Sequence, residues 1–357
     1  MPAYYPSPEQ PVVGLFMRDL AEVISTRNQI TVLASASAAA SHDGVVDGIR
    51  TIRLPPPLRR GAVYTTQRFF ALNATVSRLR REKKPVDVIH AHHFSTGAIA
   101  VLAGRLRGIP VVITENQSRS LTGELSKADV LLARFSYARA ARVLPVSALQ
   151  ERQLRLLEPS GRYDVVPDIV DLDAFSRVRG AGYGRPGRRI LAVSNLIPRK
   201  GLTHLVDAVR LLAADGREVE VTVVGEGEER PALEAQAEGL QVSFVGSRSR
   251  AEIIELLAAA DVFAMPTLGD PFAISAVEAM AAGVPVVVTS AAGCADFIEP
   301  LGARVVPPAD PTALRDALSA ALDGRAPVAA GAAEVLRGYC SREAVGERLD
   351  SIYQAVG

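Results

Sequence analysis

The second half of the chain alternates short apolar strands with amphipathic helices, and this alternation constrains the fold more than any other feature. It runs from "RRILAVS" (188–194) through "LTHLVDAVRLLAADG" (202–216) to "VPVVV" (284–288). Near-continuous runs of Val, Ile and Leu are typical of strands that are buried on both faces of a parallel sheet. The pattern therefore predicts an α/β protein with a doubly wound parallel sheet in this half.

The first half repeats the alternation less regularly. Its clearest predicted strands are "QITVLAS" (29–35), "VDVIHAH" (86–92) and "IPVVITE" (109–115). A doubly wound domain normally opens on a strand, whereas this chain opens on "AYYPSPEQPVVG" (3–14) before its first predicted helix. The first strand of the N-terminal domain is therefore predicted to be missing or truncated.

A stretch rich in Gly and Arg separates the two halves and shows no periodicity, so we interpret it as an interdomain linker. The predicted organisation has four parts: an N-terminal Rossmann-like domain at 1–175, a linker at 176–189, a C-terminal Rossmann-like domain at 190–335, and a helix at 336–357 that packs back towards the N-terminal domain. A length of 357 residues fits two domains.

Composition places the chain among cytoplasmic proteins. Cys294 and Cys340 are its two cysteines, so it has neither a disulfide framework nor a zinc spacing. It has no signal peptide and no apolar run near the roughly 20 residues that span a bilayer. Residues 1–175 hold 22 Lys and Arg against 16 Asp and Glu, whereas residues 176–357 hold 18 against 23. The basic half could face an acidic substrate or an anionic membrane, although an ordinary solvated surface is the simpler interpretation.

Two cations lie at the start of a predicted helix, in "VSNLIPRKGL" (193–202). A helix N-terminus is already positive, so Arg199 and Lys200 are unfavourable there unless an anion joins them. Lysine beside a helix N-terminus is a good phosphate site. The alternative is a solvated pair in a loop.

A carboxylate interrupts an otherwise apolar helix in "DPFAISAVEAMAAGVPVVV" (270–288). Glu278 is costly to bury unless a protein group or a ligand pairs with it. If the helix-start amides from Phe272 to Ser275 hold a phosphate, an adjoining ribose would reach Glu278, whose carboxylate can accept two hydroxyl hydrogen bonds. The alternatives are an ordinary N-cap at Asp270 and a buried Glu278 paired with Arg or backbone.

These residues resemble the E-x7-E region of the retaining GT-B glycosyltransferases of family GT4. Asp270 stands where that family has its first Glu and Glu278 where it has the second. Several other stretches follow in the order that the family shows, among them "VSNLIPRKGL", "VVGEGEERPAL", "FVGSRSRAEIIELLAAADVFAMPT" and, in the first half, "DVIHAH" and "GIPVVITEN". The resemblance covers nearly the whole chain and implies two Rossmann-like doubly wound parallel-sheet domains that face a cleft.

The resemblance also implies a function. A UDP- or GDP-linked sugar would bind the C-terminal domain as co-substrate, and a glycan, lipid-linked or small-molecule acceptor would bind the N-terminal domain. The sugar would move with retention of anomeric configuration, and no cofactor or metal would be needed. The implied catalytic residues are Asp270, Lys200 and His92. The implied donor-binding residues are Gly14, Asn195, Arg199, Lys200, Gly225, Gly227, Val245, Gly246, Phe272, Ala273, Ile274, Ser275 and Glu278. The implied acceptor-side residues are His90, His93 and Asn116.

Several positions depart from the family pattern, including the shorter Asp270 in place of the first Glu and "GCADF" (293–297) in place of a Gly-Gly-x-x-Glu pattern. Asn195 stands where the family has an Arg, and Arg199 is a candidate substitute. Ala273 replaces a Gly, and Asn116 replaces a His. Lys200 and the helix amides would stabilise the charge on the leaving group without a metal. No metal site is predicted, because "DLD" (171–173) is interpreted as structural and the His-x-His-His run at 90–93 lacks supporting ligands.

Two further expectations concern partners. The segment "QRFFALNATVSRLRREKK" (67–84) combines two Phe with a run of cations, which would allow peripheral contact with the anionic inner face of a membrane. The alternative is a solvated helix end. No nucleic-acid partner is predicted. The competing functions are a nucleotide-sugar epimerase on the same fold and a degenerate, non-catalytic partner subunit. Polysaccharide or cell-envelope assembly is the expected setting.

Overall fold

The computed structural model describes residues 15–35, 42–54, 62–175 and 188–357. The predictions for Gly14 and for a truncated first strand, and most of the predicted linker, lie outside the described residues. The helices are α1 Leu15–Ser25, α2 Ala62–Arg81, α3 His93–Arg107, α4 Arg119–Thr122, α5 Lys127–Tyr137, α6 Ala148–Leu157, α7 Leu172–Phe175, α8 Leu202–Ala214, α9 Arg230–Gln236, α10 Arg250–Ala259, α11 Ile274–Ala281, α12 Ala295–Ile298, α13 Pro311–Leu322, α14 Ala332–Cys340 and α15 Arg342–Val356. The strands are β1 Thr31–Ser35, β2 His42–Val46, β3 Ile49–Leu54, β4 Ile89–His92, β5 Val111–Glu115, β6 Arg142–Pro145, β7 Arg189–Val193, β8 Glu220–Val224, β9 Val242–Gly246, β10 Val262–Met265, β11 Val286–Thr289 and β12 Arg304–Val306.

The chain divides into two compact units. Unit 1 comprises the described residues within Met1–Val146, Gln150–Ile169 and Arg342–Gly357. Unit 2 comprises Ser147–Leu149 and the described residues within Val170–Ser341. The last helix, α15, therefore belongs to unit 1, where it packs against α1.

Unit 2 contains a six-stranded parallel sheet with the order β12-β11-β10-β7-β8-β9. The first strand along the chain, β7, is central and pairs with β8 on one side and β10 on the other. Helices α8, α9 and α13 bury their apolar faces against one side of this sheet, while α10 and α11 contact β7, β10 and β11. The apolar runs of the sequence are therefore central parallel strands, as predicted.

Unit 1 contains two separate three-stranded sheets. One has the order β1-β3-β2 and the other has the order β4-β5-β6. Strands β1 and β3 are parallel, as are β4, β5 and β6. The hairpin of β2 and β3 is antiparallel. Sequence analysis did not predict this hairpin, although "DG" at 47–48 is a typical hairpin turn signal and both of its residues have positive φ.

Apolar packing holds unit 1 together. Residues of β1, β3, β4, β5 and β6 form one cluster with the buried faces of α2, α3 and α5. A second cluster joins β5 and β6 to α15, and residues of α1 pack against it. Within the part of the chain that is described, no helix combines the length and apolarity that a membrane crossing requires.

Candidate functional site

A buried ion pair lies at the carboxyl end of the unit 2 sheet. The loop after β7 carries Lys200, and the loop after β10 carries Asp270; both side chains are largely buried. The Lys200 ammonium donates to Oδ2 of Asp270. The second oxygen, Oδ1, accepts the backbone N–H groups of Phe272 (3.1 Å) and Ala273 (2.7 Å). Asp270 therefore joins the cation to the start of α11.

The protonation state of Asp270 follows from these partners. Burial alone would raise the pKa of this carboxyl, but the Lys200 charge and the hydrogen bonds from Lys200, Phe272 and Ala273 outweigh it. The net result is a pKa below the ordinary aspartate value. Asp270 is therefore an anion at neutral pH, and it neutralises Lys200.

Arg199 lies beside this pair. Its guanidinium donates to the Gly269 carbonyl (3.3 Å) and lies 3.9 Å from Oδ2 of Asp270. Asn195, at the position where the family has its Arg, is exposed. The loop thus places the Arg199 guanidinium beside Asp270.

Sequence analysis missed Thr267, which holds the two loops together. Its hydroxyl donates to the backbone carbonyl of Arg199 (2.9 Å) and accepts the N–H of Gly269 (3.2 Å). Thr267 is fully buried. A buried hydroxyl at the end of the apolar run "DVFAMPT" was the available signal, because such a group needs partners nearby.

Two glycines let the loop after β8 lie against the loop after β7. A Cβ on Gly225, which has φ +134°, would be 1.9 Å from the Ser194 carbonyl oxygen. A Cβ on Gly227 would be 2.1 Å from the Leu196 carbonyl oxygen. The two backbones are joined by the hydrogen bond from Leu196 N to the carbonyl of Glu226 (2.9 Å). Only glycine fits at both positions.

The next loop continues this arrangement. The β8–β9 register shifts so that Val224 pairs with Gly246 and Val245 is the extra residue of a bulge. The N–H of Gly225 donates to the Gly246 carbonyl (3.0 Å). Val245 and Gly246 therefore adjoin the Gly225 loop, and the structure brings these predicted donor-side residues together.

The start of α11 is strained. Ala273, the residue before the helix, has φ +67° and ψ +61°, a left-handed conformation that favours glycine. The family pattern has Gly here, and the backbone conformation explains why. The Ser275 hydroxyl donates to the Val193 carbonyl at the end of β7 (2.9 Å), which ties the helix start to the sheet. Ile274 is half-buried, and Phe272 is fully buried.

Glu278 lies one turn further along α11 and has no protein partner in the described part of the chain. No described residue donates a hydrogen bond to its carboxylate or forms an ion pair with it; the nearest charges that influence it are Arg250 and Asp171, which pair with each other at 3.0 Å. Burial raises the pKa of Glu278 to about 7, partly offset by Arg250. A half-buried acid without a partner favours a ligand site over the alternative of a paired structural Glu.

In unit 1, three histidines lie at the carboxyl end of β4 and the start of α3. His90 is held by two groups: Nδ1 is 2.6 Å from the Tyr353 hydroxyl, and Nε2 is 2.7 Å from the Thr114 hydroxyl. Burial lowers the pKa of His90 to about 3, so the ring is neutral. Its two ring nitrogens are thus committed to protein contacts.

His92 has an unsatisfied nitrogen. Its ring stacks on His90, with centroids 4.7 Å apart, and burial lowers its pKa well below the ordinary value. Its buried Nδ1 has no hydrogen-bond partner among the described residues. His92 also lines a cavity of 20 Å³ together with Thr114 and Asn116. His92 therefore offers a buried ring nitrogen to a ligand.

The third histidine, His93, belongs to a buried network that sequence analysis did not identify. Its Nδ1 lies 3.4 Å from Oε1 of Glu115. Glu115 also accepts hydrogen bonds from Phe94 N (2.9 Å), Gln117 N (3.1 Å) and the Tyr137 hydroxyl (2.7 Å). Glu115 thereby fixes the start of α3 against the end of β5. The signal for it was an acid at the end of the apolar strand "VVIT".

Metal-ligating side chains do not cluster in the described parts of the chain: no three His, Cys, Asp or Glu are arranged to hold a metal ion. In the "DLD" segment, Asp171 pairs with Arg250 and Asp173 lies 3.6 Å from Arg337. Both of these carboxylates therefore contact protein cations.

Comparison with known proteins supplies the family. Residues 187–324 match the family described as "Glycosyl transferases group 1", and residues 14–168 match the "Glycosyl transferase 4-like domain". The two matches fall in the second and first halves of the chain respectively.

Two named relatives cover most of the chain. It is 30% identical to a phosphatidyl-myo-inositol mannosyltransferase of Mycobacterium leprae, over 94% of this chain and 91% of that protein. It is 31% identical to a 2-deoxystreptamine glucosyltransferase of Streptomyces kanamyceticus, over 70% of this chain and 72% of that protein. Because both relatives are named as transferases, the comparison favours transfer over an epimerase or a non-catalytic partner.

Solved structures with the same fold include two close matches. Sucrose-phosphate synthase from Thermosynechococcus elongatus matches with a TM-score of 0.74 at 20% identity, over 96% of this chain and 92% of that one. Anabaena HepE, in complex with UDP and glucose, matches with a TM-score of 0.72 at 19% identity, over 96% and 95%. At these identities the likeness concerns the fold, and it confirms the prediction of an α/β GT-B protein. The chain is therefore a glycosyltransferase that belongs to family GT4 and has the GT-B fold.

Proposed function

We propose that this glycosyltransferase moves a hexosyl group from a UDP- or GDP-linked sugar to an acceptor hydroxyl, with retention of anomeric configuration and without a metal. The observation that carries the proposal is the arrangement of Lys200, Arg199 and Asp270 at the start of α11, with an unpartnered Glu278 one turn further along. In this proposal unit 2 holds the donor and unit 1 holds the acceptor.

The diphosphate is the group that Lys200 and Arg199 would hold. Asp270 is the protein anion that lies beside both cations. The amides of Phe272 and Ala273 already bond Asp270, so the helix-start amides left for a phosphate are those of Ile274 and Ser275. Negative charge grows on the diphosphate as the sugar leaves, and positioned cations and amides stabilise that charge.

The proposed transfer step needs no protein nucleophile. The bond between the anomeric carbon and the phosphate oxygen breaks, and the acceptor oxygen bonds to the anomeric carbon on the same face. The acceptor's hydroxyl proton passes to the departing phosphate oxygen. Asp270, an anion at neutral pH, would contact hydroxyls of the transferred sugar and hold it in place.

Glu278 would accept hydrogen bonds from the two ribose hydroxyls. The carboxylate has unused acceptor capacity because it has no protein partner among the described residues. The backbone near Val245 and Gly246 would contact the base, and the Gly225 and Gly227 loop would lie against the nucleotide.

In unit 1, His92 is the proposed acceptor-side residue, because its Nδ1 is buried without a partner. Asn116 lines the same small cavity. His90 and His93 have protein partners and act by positioning His92 and the start of α3.

The acceptor class we propose is a carbocyclic polyol, free or carried on a lipid. Two of the relatives that align with most of the chain are named for phosphatidyl-myo-inositol and for 2-deoxystreptamine, and both of these compounds contain a hydroxylated six-membered carbocycle. A lipid-borne acceptor would require contact with a membrane surface. Helix α2 offers an exposed Phe70 and, near its end, the exposed cations Arg80 and Arg81 for such contact.

The first test is thermal stabilisation of the full chain by a panel of nucleoside diphosphates. A ligand at 100 times its dissociation constant adds roughly 2.7 kcal/mol of stability. We expect a shift with UDP or GDP that is lost in Lys200→Ala and Glu278→Ala. Glu255→Ala, which changes an exposed acid on α10, is the matched control and should keep the shift.

The nucleotide that binds then selects the donor for a transfer assay with myo-inositol, phosphatidylinositol and 2-deoxystreptamine. NMR of the product gives its anomeric configuration. An inverted product, or activity that a chelator abolishes and a divalent cation restores, would contradict the mechanism. No shift with any nucleotide in well-folded protein would contradict the donor site itself.

A further inference from the structure

One cation in unit 2 acts on Glu278 but binds a different acid. Burial raises the pKa of Glu278 to about 7, and the Arg250 charge offsets part of that rise. The Arg250 guanidinium nevertheless pairs with Asp171, whose Oδ2 lies 3.0 Å from Nη1. Glu278 forms no ion pair with any described residue. Arg250 therefore influences two acids and contacts one of them.

Arg250 needs an anion because of its place in the fold. It is the first residue of α10, and the positive N-terminal end of a helix disfavours a cation. The acid of the same helical turn, Glu252, already accepts hydrogen bonds from the Ser249 N–H (2.8 Å) and hydroxyl (2.7 Å). Asp171, from a separate segment, supplies the negative charge that Arg250 contacts.

The segment around α7 holds Arg250 by charge and by an aromatic ring. Asp171 precedes the helix, and its Oδ1 accepts the Ala174 N–H (3.4 Å) while its Oδ2 pairs with the guanidinium. Phe175 at the end of the helix is fully buried, and its ring centroid lies 5.2 Å from Cζ of Arg250. Since α7 also packs against α11, the cation is held close to the helix of Glu278 without contacting that carboxylate.

The remaining elements that pack against α11 contribute little charge near Glu278. These are β10, β11 and α14, and the two strands contain no charged side chain. On α14, Arg337 lies 3.6 Å from Asp173, and Glu334 is exposed. Within the described part of the chain, the charges that act on Glu278 are those of the ion pair described above.

We propose that Asp171 keeps the Glu278 carboxylate available to a ligand by holding Arg250 in an ion pair of its own. Without the Asp171 charge, Arg250 would pair with Glu278 and occupy the oxygens that a ligand's hydroxyls need. Asp171 and Arg250 are thus positioning residues of the site. The proposal rests on the proposed function, because it takes the ligand of Glu278 to be the ribose of the donor.

The two acids compete for one cation. Asp171 has the advantage that the Phe175 ring stabilises Arg250 beside it. The advantage is small, because the side chains of Arg250 and Asp171 are 51% and 43% exposed and an exposed ion pair contributes little to stability. Removal of the Asp171 charge should therefore transfer Arg250 to Glu278, where burial has left a carboxylate without a partner among the described residues.

The first measurement follows the Glu278 carboxyl by carbon-13 NMR, with its signal assigned by comparison with Glu278→Gln. Asp171→Asn removes the charge and keeps an oxygen that can accept the Ala174 N–H. We expect the pKa of Glu278 to fall from about 7 towards its ordinary value, because Arg250 then pairs with it. Asp171→Asn combined with Arg250→Met should restore the high pKa, since burial then acts without a nearby cation.

The second measurement is the affinity for UDP and GDP, by calorimetry at pH 8, where Glu278 is ionised in every variant. We expect Asp171→Asn to weaken binding about 10-fold, because the ribose hydroxyls must displace a charged partner. The double variant should recover to within about 3-fold of wild type. A second substitution that restores binding distinguishes positioning from a folding defect.

The matched control is Asp173→Asn, which removes a neighbouring charge of α7 that lies beside Arg337 instead. It should leave both the Glu278 pKa and the affinity as in wild type. An unchanged Glu278 pKa in Asp171→Asn would overturn the proposal. Equal affinity of wild type and Asp171→Asn, or a loss that Arg250→Met fails to repair, would overturn it as well.

Failure of the proposed function would look different. Wild-type protein that binds neither UDP nor GDP would contradict the donor site, whatever the state of Arg250. The Glu278 titration in the same variants needs no nucleotide, so it would still decide whether Asp171 holds Arg250 away from Glu278.

Discussion

The described strands form one continuous sheet in unit 2 but two separate sheets in unit 1. In unit 2 the first strand, β7, is central, and both of its edges are paired. In unit 1 the described strands form two separate sheets, whose end strands β1 and β4 border a 610 Å³ cavity. Unpaired strand edges within a folded layer are costly, because their backbone groups lose hydrogen bonds. In unit 2, the central strand β7 joins β8 and β10 into one continuous sheet.

The units also differ in how they treat a carboxylate. Glu115 in unit 1 accepts hydrogen bonds from Phe94, Gln117 and Tyr137 and is fully satisfied by protein. Glu278 in unit 2 has no such partner among the described residues, and burial raises its pKa to about 7. The first arrangement stabilises the fold. In the second, burial of the Glu278 carboxylate costs free energy, and a ligand that donates hydrogen bonds to it would offset that cost.

The largest predicted effect concerns the cation in unit 2. Lys200→Ala should lower kcat/KM for transfer about 100- to 1,000-fold, because a positioned charge on the leaving group is lost. It also leaves Asp270 buried without its cation, which costs about 3 kcal/mol of unfolding free energy. Steady-state kinetics and urea unfolding measure the two losses.

The control for this variant is Arg188→Ala, which breaks an ion pair with Glu220 between two exposed side chains. An exposed pair contributes less than about 1 kcal/mol. If Lys200→Ala were no more damaging to activity than Arg188→Ala, the Lys200 charge would not stabilise the leaving group.

The satisfied acid of unit 1 gives the next largest effect. Glu115→Ala leaves the amides of Phe94 and Gln117 and the buried Tyr137 hydroxyl without their acceptor, so unit 1 should lose about 3 kcal/mol of stability. Hydrogen exchange should accelerate in β5 and α3 and stay unchanged in β8 and β10. Glu124→Ala, an exposed acid in the same unit, is the control. Equal acceleration in both units would show that they unfold together.

The unsatisfied acid of unit 2 predicts a pH dependence. The folded-state pKa of Glu278, about 7, lies above its ordinary value of 4.5. The folded protein therefore binds the proton more tightly, and the resulting stability is complete below about pH 4.5 and is lost as the pH rises through 7. Glu278→Gln should remove about 3 kcal/mol of this pH dependence between pH 4.5 and 8.

Urea unfolding between pH 4.5 and 8 measures the effect, with Glu255→Gln as the exposed control on α10. The same titration should strengthen nucleoside diphosphate binding as the pH rises through 7, because the ribose hydroxyls need the carboxylate. A pH profile identical in wild type and Glu278→Gln would remove the contrast between the two acids.

The smallest effect concerns backbone strain at the start of α11. Ala273 has φ +67°, so Ala273→Gly should stabilise the protein by about 0.5–1 kcal/mol. Ala276→Gly, inside the same helix, should destabilise it by about 1 kcal/mol. Thermal unfolding compares the two. The same sign for both substitutions would show that relief of the left-handed conformation does not decide the outcome at Ala273.

Much of unit 2 was predictable because its signals are local. Apolar runs and helical periodicity indicated β7, α8, β8 and α11, and these elements formed where expected. The hairpin of β2 and β3 was not predicted, because its strands are short and polar on one side and the surrounding sequence indicates parallel strands. Secondary structure follows local periodicity only where burial on both faces enforces it.

The candidate site was predictable in its residue types but not in its pairing. Lys200 and Asp270 were each predicted as site residues because each precedes a helix. Their direct contact joins residues 70 positions apart, which the sequence pattern did not indicate. Thr267 and Glu115 were missed for the same reason. Their partners come from other loops, which a linear pattern does not bring together.

The α/β class, the family and the polar residues at strand ends could be predicted from the sequence, because periodicity, composition and motif order do not depend on contacts between distant segments. The tertiary structure was needed to show that Glu278 lacks a partner among the described residues, that the Arg199 guanidinium lies beside Asp270, and that β1 and β4 border one cavity. These are matters of distance between segments, and hydrogen bonding, burial and charge act through distance.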